Sequence, residues 1–454
     1  MRVVLESTAT FCAGVAPPEL VEALAKAMSV ANPRHVSAVE RGRDPGREPR
    51  TLCLLEQQGG TVSIPRGATN VLRRLAADQN IELTFEDRRQ SGEPLECVHA
   101  RELRDYQSRA VDILLKRQQC IAIAPAGAGK TTIALGCVAR AQTSTLIIAD
   151  KYDLVTQWRN EVRAQLGVEA GVVGAGQHEV RPITVALVPT LAQMDDGELA
   201  EFLAGFGVLI CDEVHHAASP TWSRVINASP ARYRWGFTAT QQREDTLTPT
   251  LEWVVGPFGE IVGHADLLES GALIAPTIIS LRSDFRFEYR SPADWPGLLD
   301  ALVVDGERND LIVNRVVADA GGGHLTLVLT GRVSHAEALA TAIAKHGITA
   351  AALTGHTPKK QRAQLLAQAQ AGELSVLVAT SLADEGLDLP RLSRVYLVFP
   401  ARAAGRVEQR IGRVMRPHPD KLHPAVIDVV DGHVGVLSHQ ARKRAAVFAE
   451  ILGT

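Results

Sequence analysis

The chain has few cysteines, and none are grouped. Cys12, Cys53, Cys97, Cys120, Cys137 and Cys211 include no CxxC pair, which speaks against a zinc site or an iron–sulfur cluster. Free, mostly buried thiols in a reducing compartment are the expectation. No apolar run reaches the roughly 20 residues that span a bilayer, and no charged start followed by an apolar stretch marks a signal peptide. A cytoplasmic protein with no membrane partner is expected. A basic excess is missing too, since 48 Lys and Arg stand against 51 Asp and Glu, a net charge of −3. Any nucleic-acid partner must therefore be argued from local sites. Short-period repeats and low-complexity tracts are absent.

What remains is a globular composition, 46% hydrophobic and 22% charged over 454 residues, long enough for two or three domains. Residues 1–100 mix short strand-like runs (3–5 and 51–55) with amphipathic helices. One covers 18–28 with Leu20, Leu24 and Ala27 on a face; another carries Val71, Leu72 and Leu75 behind a cap at Asn70. A loop rich in Gly, Pro and Arg runs between them at 41–50, with Arg41, Arg43, Arg47 and Arg50 diluted by Asp44 and Glu48. From 101 to 284, apolar runs at 121–124, 146–149, 183–187 and 208–211 alternate with helical patterns. This is the rhythm of βαβ units and a parallel sheet. After a linker at 285–297 containing Pro292 and Pro296, a second such block spans 298–454, with strands at 325–329, 376–379, 395–399 and 426–430. Their continuous apolar character suits strands covered on both faces.

Two segments carry chemistry. Ile121-Ala-Ile-Ala-Pro-Ala-Gly-Ala-Gly-Lys-Thr-Thr132 is a strand, a turn bearing Gly127 and Gly129, and a helix start. Small residues let backbone N–H groups wrap phosphates at the positive end of the helix dipole. Lys130 then reaches the outer phosphates of ATP, and Thr131 holds Mg²⁺. Ala124 replaces the first glycine of the strict pattern. The second segment, Val208-Leu-Ile-Cys-Asp-Glu-Val-His-His216, is an apolar strand ending in two acids. Asp212 would hold Mg²⁺ through water, and Glu213 would orient and deprotonate the attacking water. His215 and His216 lack a third nearby ligand for a metal and read as strand-end surface residues.

These two segments and their neighbours resemble the DExH branch of superfamily 2 helicases, with Val214 at the third place. Leu103-Arg104-Asp105-Tyr106-Gln107 resembles the Q motif. Residues 146–158, ending in Gln157-Trp158, resemble motif Ia, and Val188-Pro189-Thr190-Leu191 resembles motif Ib. Gly236-Phe-Thr-Ala-Thr240 resembles motif III and Leu327-Val-Leu-Thr330 motif IV. Residues 379–390 resemble motif V, and Gln409-Arg-Ile-Gly-Arg-Val-Met-Arg416 motif VI. The motifs run in order over about 101–430. Arg243-Glu244-Asp245 is similar to the RED element of XPB-like proteins, and XPB-like and UvsW-like DNA helicases look closest. No thumb insertion is identifiable between the blocks.

The resemblance implies an α/β fold of two tandem RecA-like parallel-sheet lobes, preceded by a small α+β N-terminal domain with a role in substrate recognition. It implies ATP in a cleft between lobes, with Arg104, Gln107, Thr132, Gly386 and Asp388 joining the phosphate loop in binding it. Arg413 and Arg416, three apart on a predicted helix, would stabilise the charge of the transition state. His215, Thr238, Thr240 and Gln409 would couple the nucleotide to the track. Thr190, Arg332, Thr354 and Thr380 are the nucleic-acid candidates, placed where loops and helix N-termini meet phosphates without many cations. DNA, single-stranded, forked or branched, is the expected track. An RNA helicase and a nucleotide-dependent switch, or a motor subunit of a larger nuclease complex, stay open.

Overall fold

The computed structural model describes residues 1–239, 247–380, 389–400, 411–412 and 414–453. The chain divides into two compact units, 1–124 with 128–262, and 125–127 with 263–454.

In the first unit, residues 1–87 build a mixed sheet in the order Glu56–Gln58, Thr61–Pro65, Thr8–Cys12, Arg2–Leu5, Thr84–Asp87. Its pairs are antiparallel except the last. Alternation puts Ala9, Phe11, Val62 and Ile64 on one face. There they meet Leu20 and Leu24 of helix Pro18–Ala27 and Leu72 of helix Thr69–Asp78. Pro18 opens the first of these helices with φ already helical and no N–H to leave unpaired. Asn70 does not cap the second: the helix begins at Thr69, behind the short 3-10 turn Arg66–Ala68, so Asn70 lies in its first turn. A further short helix, Pro33–Glu40, went unread because it lacks a buried stripe. Its cap is Asn32, whose Oδ1 accepts from Arg34 N at 3.0 Å while its Nδ2 donates to Pro49 O at 2.9 Å. That one side chain also pins the end of the Arg-rich loop.

The rest of the first unit is an eight-stranded sheet in the order Gln177–Glu179, Gly171–Gly174, Ile183–Leu187, Thr145–Ala149, Val208–Cys211, Tyr233–Thr238, Gln119–Ile123, Phe258–Glu260. Every neighbouring pair is parallel except the outermost, between Gly171–Gly174 and Gln177–Glu179. Its central strands are buried end to end, as two covered faces require.

Residues 1–87 are welded to the end of this sheet where the strands begin. Fully buried Arg66 donates to Gln119 Oε1 (2.7 Å), Glu6 O (2.8 Å) and Ala231 O (2.8 Å). Arg234, also buried, donates to Val254 O (2.8 Å), Ser229 O (2.9 Å) and Ser7 O (3.1 Å). Gly67 lies so close to the 252–256 backbone that a Cβ would stand 2.1 Å from Glu252 O.

The second unit holds an all-parallel sheet in the order Thr277–Ser283, Ala425–Asp431, Leu392–Leu397, Leu325–Thr330, Val376–Thr380, Ala350–Leu353. Two expectations change here. Thr277–Ser283 falls in the block 101–284 expected as the first lobe, yet it pairs along its whole length with Ala425–Asp431, and the division between units falls at 262/263. The stretch expected as a linker at 285–297 is ordered instead. Phe285 is buried in a small core with Leu298 and Leu302 of helix Trp295–Val304 and with Val434 and Leu437, and Phe287, Tyr289 and Trp295 pack against it. The aromatic and leucine side chains outweigh the two prolines, one of which opens a 3-10 turn at Pro292–Asp294 while the other falls in the first turn of that helix. Among the described residues no helix is long and apolar enough to cross a membrane.

Candidate nucleotide and nucleic-acid sites

Parallel strands all end on the same edge of their sheet, and strand order decides which loops become neighbours there. In the first unit, Gln119–Ile123, Tyr233–Thr238 and Val208–Cys211 are adjacent, with Thr238 opposite Ile123 and Cys211 opposite Gly236. The phosphate loop, Thr238 and the Asp212-Glu213 pair therefore leave the sheet side by side, within two strand spacings of about 5 Å each.

The loop is shaped by glycine. Gly127 and Gly129 have φ of 94° and 74°, the left-handed region. Gly129 starts the twelve-residue helix Lys130–Ala141, with Thr131 and Thr132 half-buried in its first turn. A Cβ on Gly129 would sit 2.7 Å from Gln107 Nε2. Gln107 itself braces the loop, donating to Ala128 O at 3.3 Å and accepting from Arg104 N at 3.1 Å. Lys130 Nζ donates to Ala124 O at 3.2 Å, folded back over the loop it serves. Ala124 N donates to Thr238 O at 3.0 Å, tying the loop to the neighbouring strand. Left-handed glycines, an open helix N-terminus and a lysine curled over them fit a nucleotide's phosphates.

The acids differ in setting. Asp212 accepts from the Trp158 indole N–H at 2.8 Å through Oδ2 and from Glu213 N at 3.0 Å through Oδ1. Burial pushes its carboxyl above the usual range, against the pull of the Trp158 bond. Glu213 is held below the usual range, first by His215, whose Nδ1 lies 3.2 Å from Oε2. The Lys130 ammonium is near enough to draw both acids down. An acid pair of this kind beside a phosphate loop fits a hydrated divalent cation.

The same edge continues. Val208–Cys211 neighbours Thr145–Ala149, which neighbours Ile183–Leu187. Asp150 and half-buried Thr190, on the short helix Val188–Leu191, follow the last two strands. In the second unit Thr330 lies opposite Thr380 and Leu353 opposite Ala379, so the structure gathers Arg332, Thr354 and Thr380 on one edge. Arg332 is exposed, with Asp300 3.4 Å away. Thr354 is buried, its Oγ1 accepting from His356 N at 3.3 Å. The buried Thr380 hydroxyl has no hydrogen-bond partner among the described residues.

Thr240, the Arg243-Glu244-Asp245 element, Gly386, Asp388, Gln409 and Arg413 lie outside the described residues. Arg416 is described. It stands in the bend after the helical residues rather than on the helix, and its carbonyl accepts from Lys421 Nζ at 2.6 Å. Two participants escaped the sequence reading. The motif resemblance gives Trp158 no contact of its own, and its strand-end position predicts His216 at the surface. His216 is half-buried, stacked on Trp222 with centroids 5.7 Å apart, and faces Asp150 Oδ2 at 3.5 Å. Neither contact is legible in the sequence, because each joins segments that follow different strands.

Two parallel-sheet lobes, the first carrying a phosphate loop beside an acid pair, define a tandem RecA-like nucleotide-binding protein. Residues 100–243 match the family described as type III restriction enzyme, res subunit, and residues 308–418 the helicase conserved C-terminal domain. The DNA 3'-5' translocase XPB2 of Sulfurisphaera tokodaii is 28% identical over 359 residues, 69% of this chain and 79% of that protein. The DNA 3'-5' helicase XPB of Kineococcus radiotolerans is 29% identical over 336 residues, 70% of this chain and 58% of that protein. The chain spans about half (55%) of the length of a Rad25 relative from Halobacterium salinarum. In fold it is similar to the ATP-dependent Type ISP restriction-modification enzyme LlaBIII bound to DNA, at TM-score 0.55 and 13% identity over 82% of this chain and 32% of that one. The chain belongs to the superfamily 2 helicases, related to the XPB and Rad25 proteins.

Proposed function

We propose that this chain hydrolyses ATP to move along, or remodel, DNA. The observation that carries this reading is the shared edge of the first sheet, which holds the phosphate loop, Thr238 and the acid pair at one end and the 150–152 and Thr190 segments at the other. A nucleotide site and a polymer site on one rigid edge can exchange free energy through small shifts of neighbouring strands' loops.

In this reading backbone N–H groups around Gly127 and Gly129, with Lys130, hold the β- and γ-phosphates, while Arg104 and Gln107 flank the base. Thr131 and Asp212 hold Mg²⁺, which when bound neutralises charge on the phosphate oxygens. Glu213 orients the attacking water and takes its proton, with His215 steadying its carboxylate. Thr238, Thr240 and Gln409 relay the state of the γ-phosphate. Gly386 and Asp388 touch the ribose, and Arg413 and Arg416 stabilise the developing charge. Thr190, Arg332, Thr354 and Thr380 contact the track; the Thr380 hydroxyl, without a hydrogen-bond partner among the described residues, supports that choice. DNA is favoured over RNA because the XPB-type relatives are named for DNA. The family of residues 100–243 also supports a motor subunit working within a restriction-type complex.

The test is an ATPase and strand-separation panel with single-stranded DNA, duplex, forked DNA and RNA. DNA stimulation is expected, and stimulation by RNA alone would overturn the choice of track. Stimulation without strand separation would identify a translocase or motor subunit. Lys130→Ala should abolish hydrolysis while leaving the melting temperature within a few degrees, because the half-buried Lys130 side chain is not part of the apolar core.

A further inference from the structure

We propose that Trp158 is a positioning residue that makes the acid pair answer to the segment 150–158, so that nucleic acid bound at that segment sets the geometry of Asp212. The inference rests on the ATPase reading above and concerns how that site is regulated.

Strands Thr145–Ala149 and Val208–Cys211 are parallel neighbours, with Ile148 opposite Cys211. Past their ends the chains part, one into Asp150, Lys151 and helix Tyr152–Leu166, the other into Asp212, Glu213 and the 3-10 turn Val214–Ala218. Two side-chain contacts bridge the gap. The Trp158 indole N–H donates to Asp212 Oδ2 at 2.8 Å, and His216 Nε2 faces Asp150 Oδ2 at 3.5 Å.

Trp158 is 4% exposed and lies on the packed face of its helix with Val155 and Val162. For packing alone, a phenylalanine would serve there. Indole adds a single donor, and that donor is given to the acid expected to hold Mg²⁺. Asp212's other oxygen accepts from its neighbour Glu213 N, and its own N–H from the strand register donates to Ile148 O at 3.3 Å. The side chain is thus fixed by one local donor and by one donor that travels with helix Tyr152–Leu166. Hydrogen bonds weaken steeply once stretched or bent, so a shift of that helix by a few tenths of an ångström reorients the carboxylate.

The start of the helix is where such a shift would originate. Lys151 and Tyr152 are exposed at the sheet edge, beside the Thr190 segment. Asp150, just before them, is held between His216 and Lys151, whose Nζ lies 3.9 Å from Oδ2. His216 is in turn stacked on Trp222 of helix Pro220–Ala228. His216 restrains the strand end while Trp158 transmits movement of the helix.

Trp158→Phe keeps the buried ring and removes the N–H. Two readouts separate positioning from stability. One is the Mg²⁺ dependence of N-methylanthraniloyl-ADP binding, and the other is the ratio of DNA-stimulated to basal ATPase. Loss of a hydrogen bond to a charged group should raise the Mg²⁺ midpoint by roughly tenfold and cut the stimulation ratio severalfold, with ADP binding in EDTA unchanged. His216→Phe keeps the stack on Trp222 and loses the Asp150 contact, and should reduce the stimulation ratio alone. This arm stands if Trp158→Phe fails to fold. An unchanged Mg²⁺ midpoint and ratio in Trp158→Phe, or, if that variant is unfolded, an unchanged ratio in His216→Phe, overturns the proposal. If the wild-type protein hydrolyses no more ATP than Lys130→Ala, the ATPase reading itself has failed, and the two failures are distinct.

Discussion

Glu213 has φ of +50°, a left-handed conformation that costs a residue with a Cβ on the order of 1 kcal/mol or more. The turn puts Asp212 and Glu213 in different surroundings: Asp212 is pushed up by burial, and Glu213 is drawn down by His215. Glu213 is thereby kept ionised, while the charge of Asp212 needs a nearby cation to offset its burial. In the second unit a histidine is equally constrained. The ring of His335 faces Thr330 Oγ1 at 2.7 Å and Asn309 Oδ1 at 2.9 Å. Asn309 spends its amide on Val303 O, so its oxygen accepts from Nε2–H and Nδ1 accepts from the Thr330 hydroxyl. The ring is neutral, and burial, with Arg308 nearby, lowers its pKa to about 4. The neutral form is favoured in the fold, so this stability is fully present above about pH 6.5 and is lost as pH falls from there toward 4, by up to roughly 3 kcal/mol. Urea unfolding followed across that window should show the loss, and His335→Gln should flatten it. An equal slope in the variant would show that other groups carry the acid sensitivity.

At the scale of elements, the phosphate loop works because two glycines bend it and Gln107 props it. Gly129→Ala adds a Cβ in the left-handed region, costing about 1 kcal/mol, and drives it against Gln107 Nε2. Nucleotide affinity should fall at least tenfold by titration calorimetry while the melting temperature moves only a few degrees. Wild-type affinity would mean that the loop reshapes freely. Strand Val208–Cys211 was legible to the residue because a strand covered on both faces is uniformly apolar. Thr277–Ser283, at the sheet's edge, is exposed or half-buried along all but its last residue and carries no such signal. It reads as a continuation of the preceding block until its partner Ala425–Asp431, about 150 residues later, is seen. The 285–297 stretch misled for the opposite reason, since its prolines are local signals whereas Phe285's burial depends on Val434 and Leu437.

For the whole molecule, the attachment of residues 1–87 matters most. It is made at the strand starts of the first sheet, the end opposite the phosphate loop, through Arg66 and Arg234. Burial, and each other's charge for Arg66, lower both guanidinium pKa values, Arg234's to about 10. Backbone carbonyls offset that cost. Arg66→Ala leaves Glu6 and Ala231 carbonyls and Gln119 unpaired and should destabilise the first unit by about 3 kcal/mol or more. Calorimetry should show residues 1–87 and the first sheet melting together in the wild type and separately in the variant. An unaltered single transition at the wild-type temperature would show that apolar packing around Trp253 alone holds the two parts.

The sequence by itself determined four strands in each of the two large sheets, the phosphate loop and the acid pair, because each rests on contiguous residues whose periodicity or backbone freedom is local. Tertiary structure alone decided that the loop, Thr238 and the acids share one edge, that Thr277–Ser283 joins the second sheet, that residues 1–87 are bolted to the first, and that Trp158 reaches Asp212. Those facts depend on strand order and on side chains meeting across 54 residues or more of chain. Nothing in local propensity encodes such meetings, since they arise only when burial of distant apolar surfaces brings the partners together.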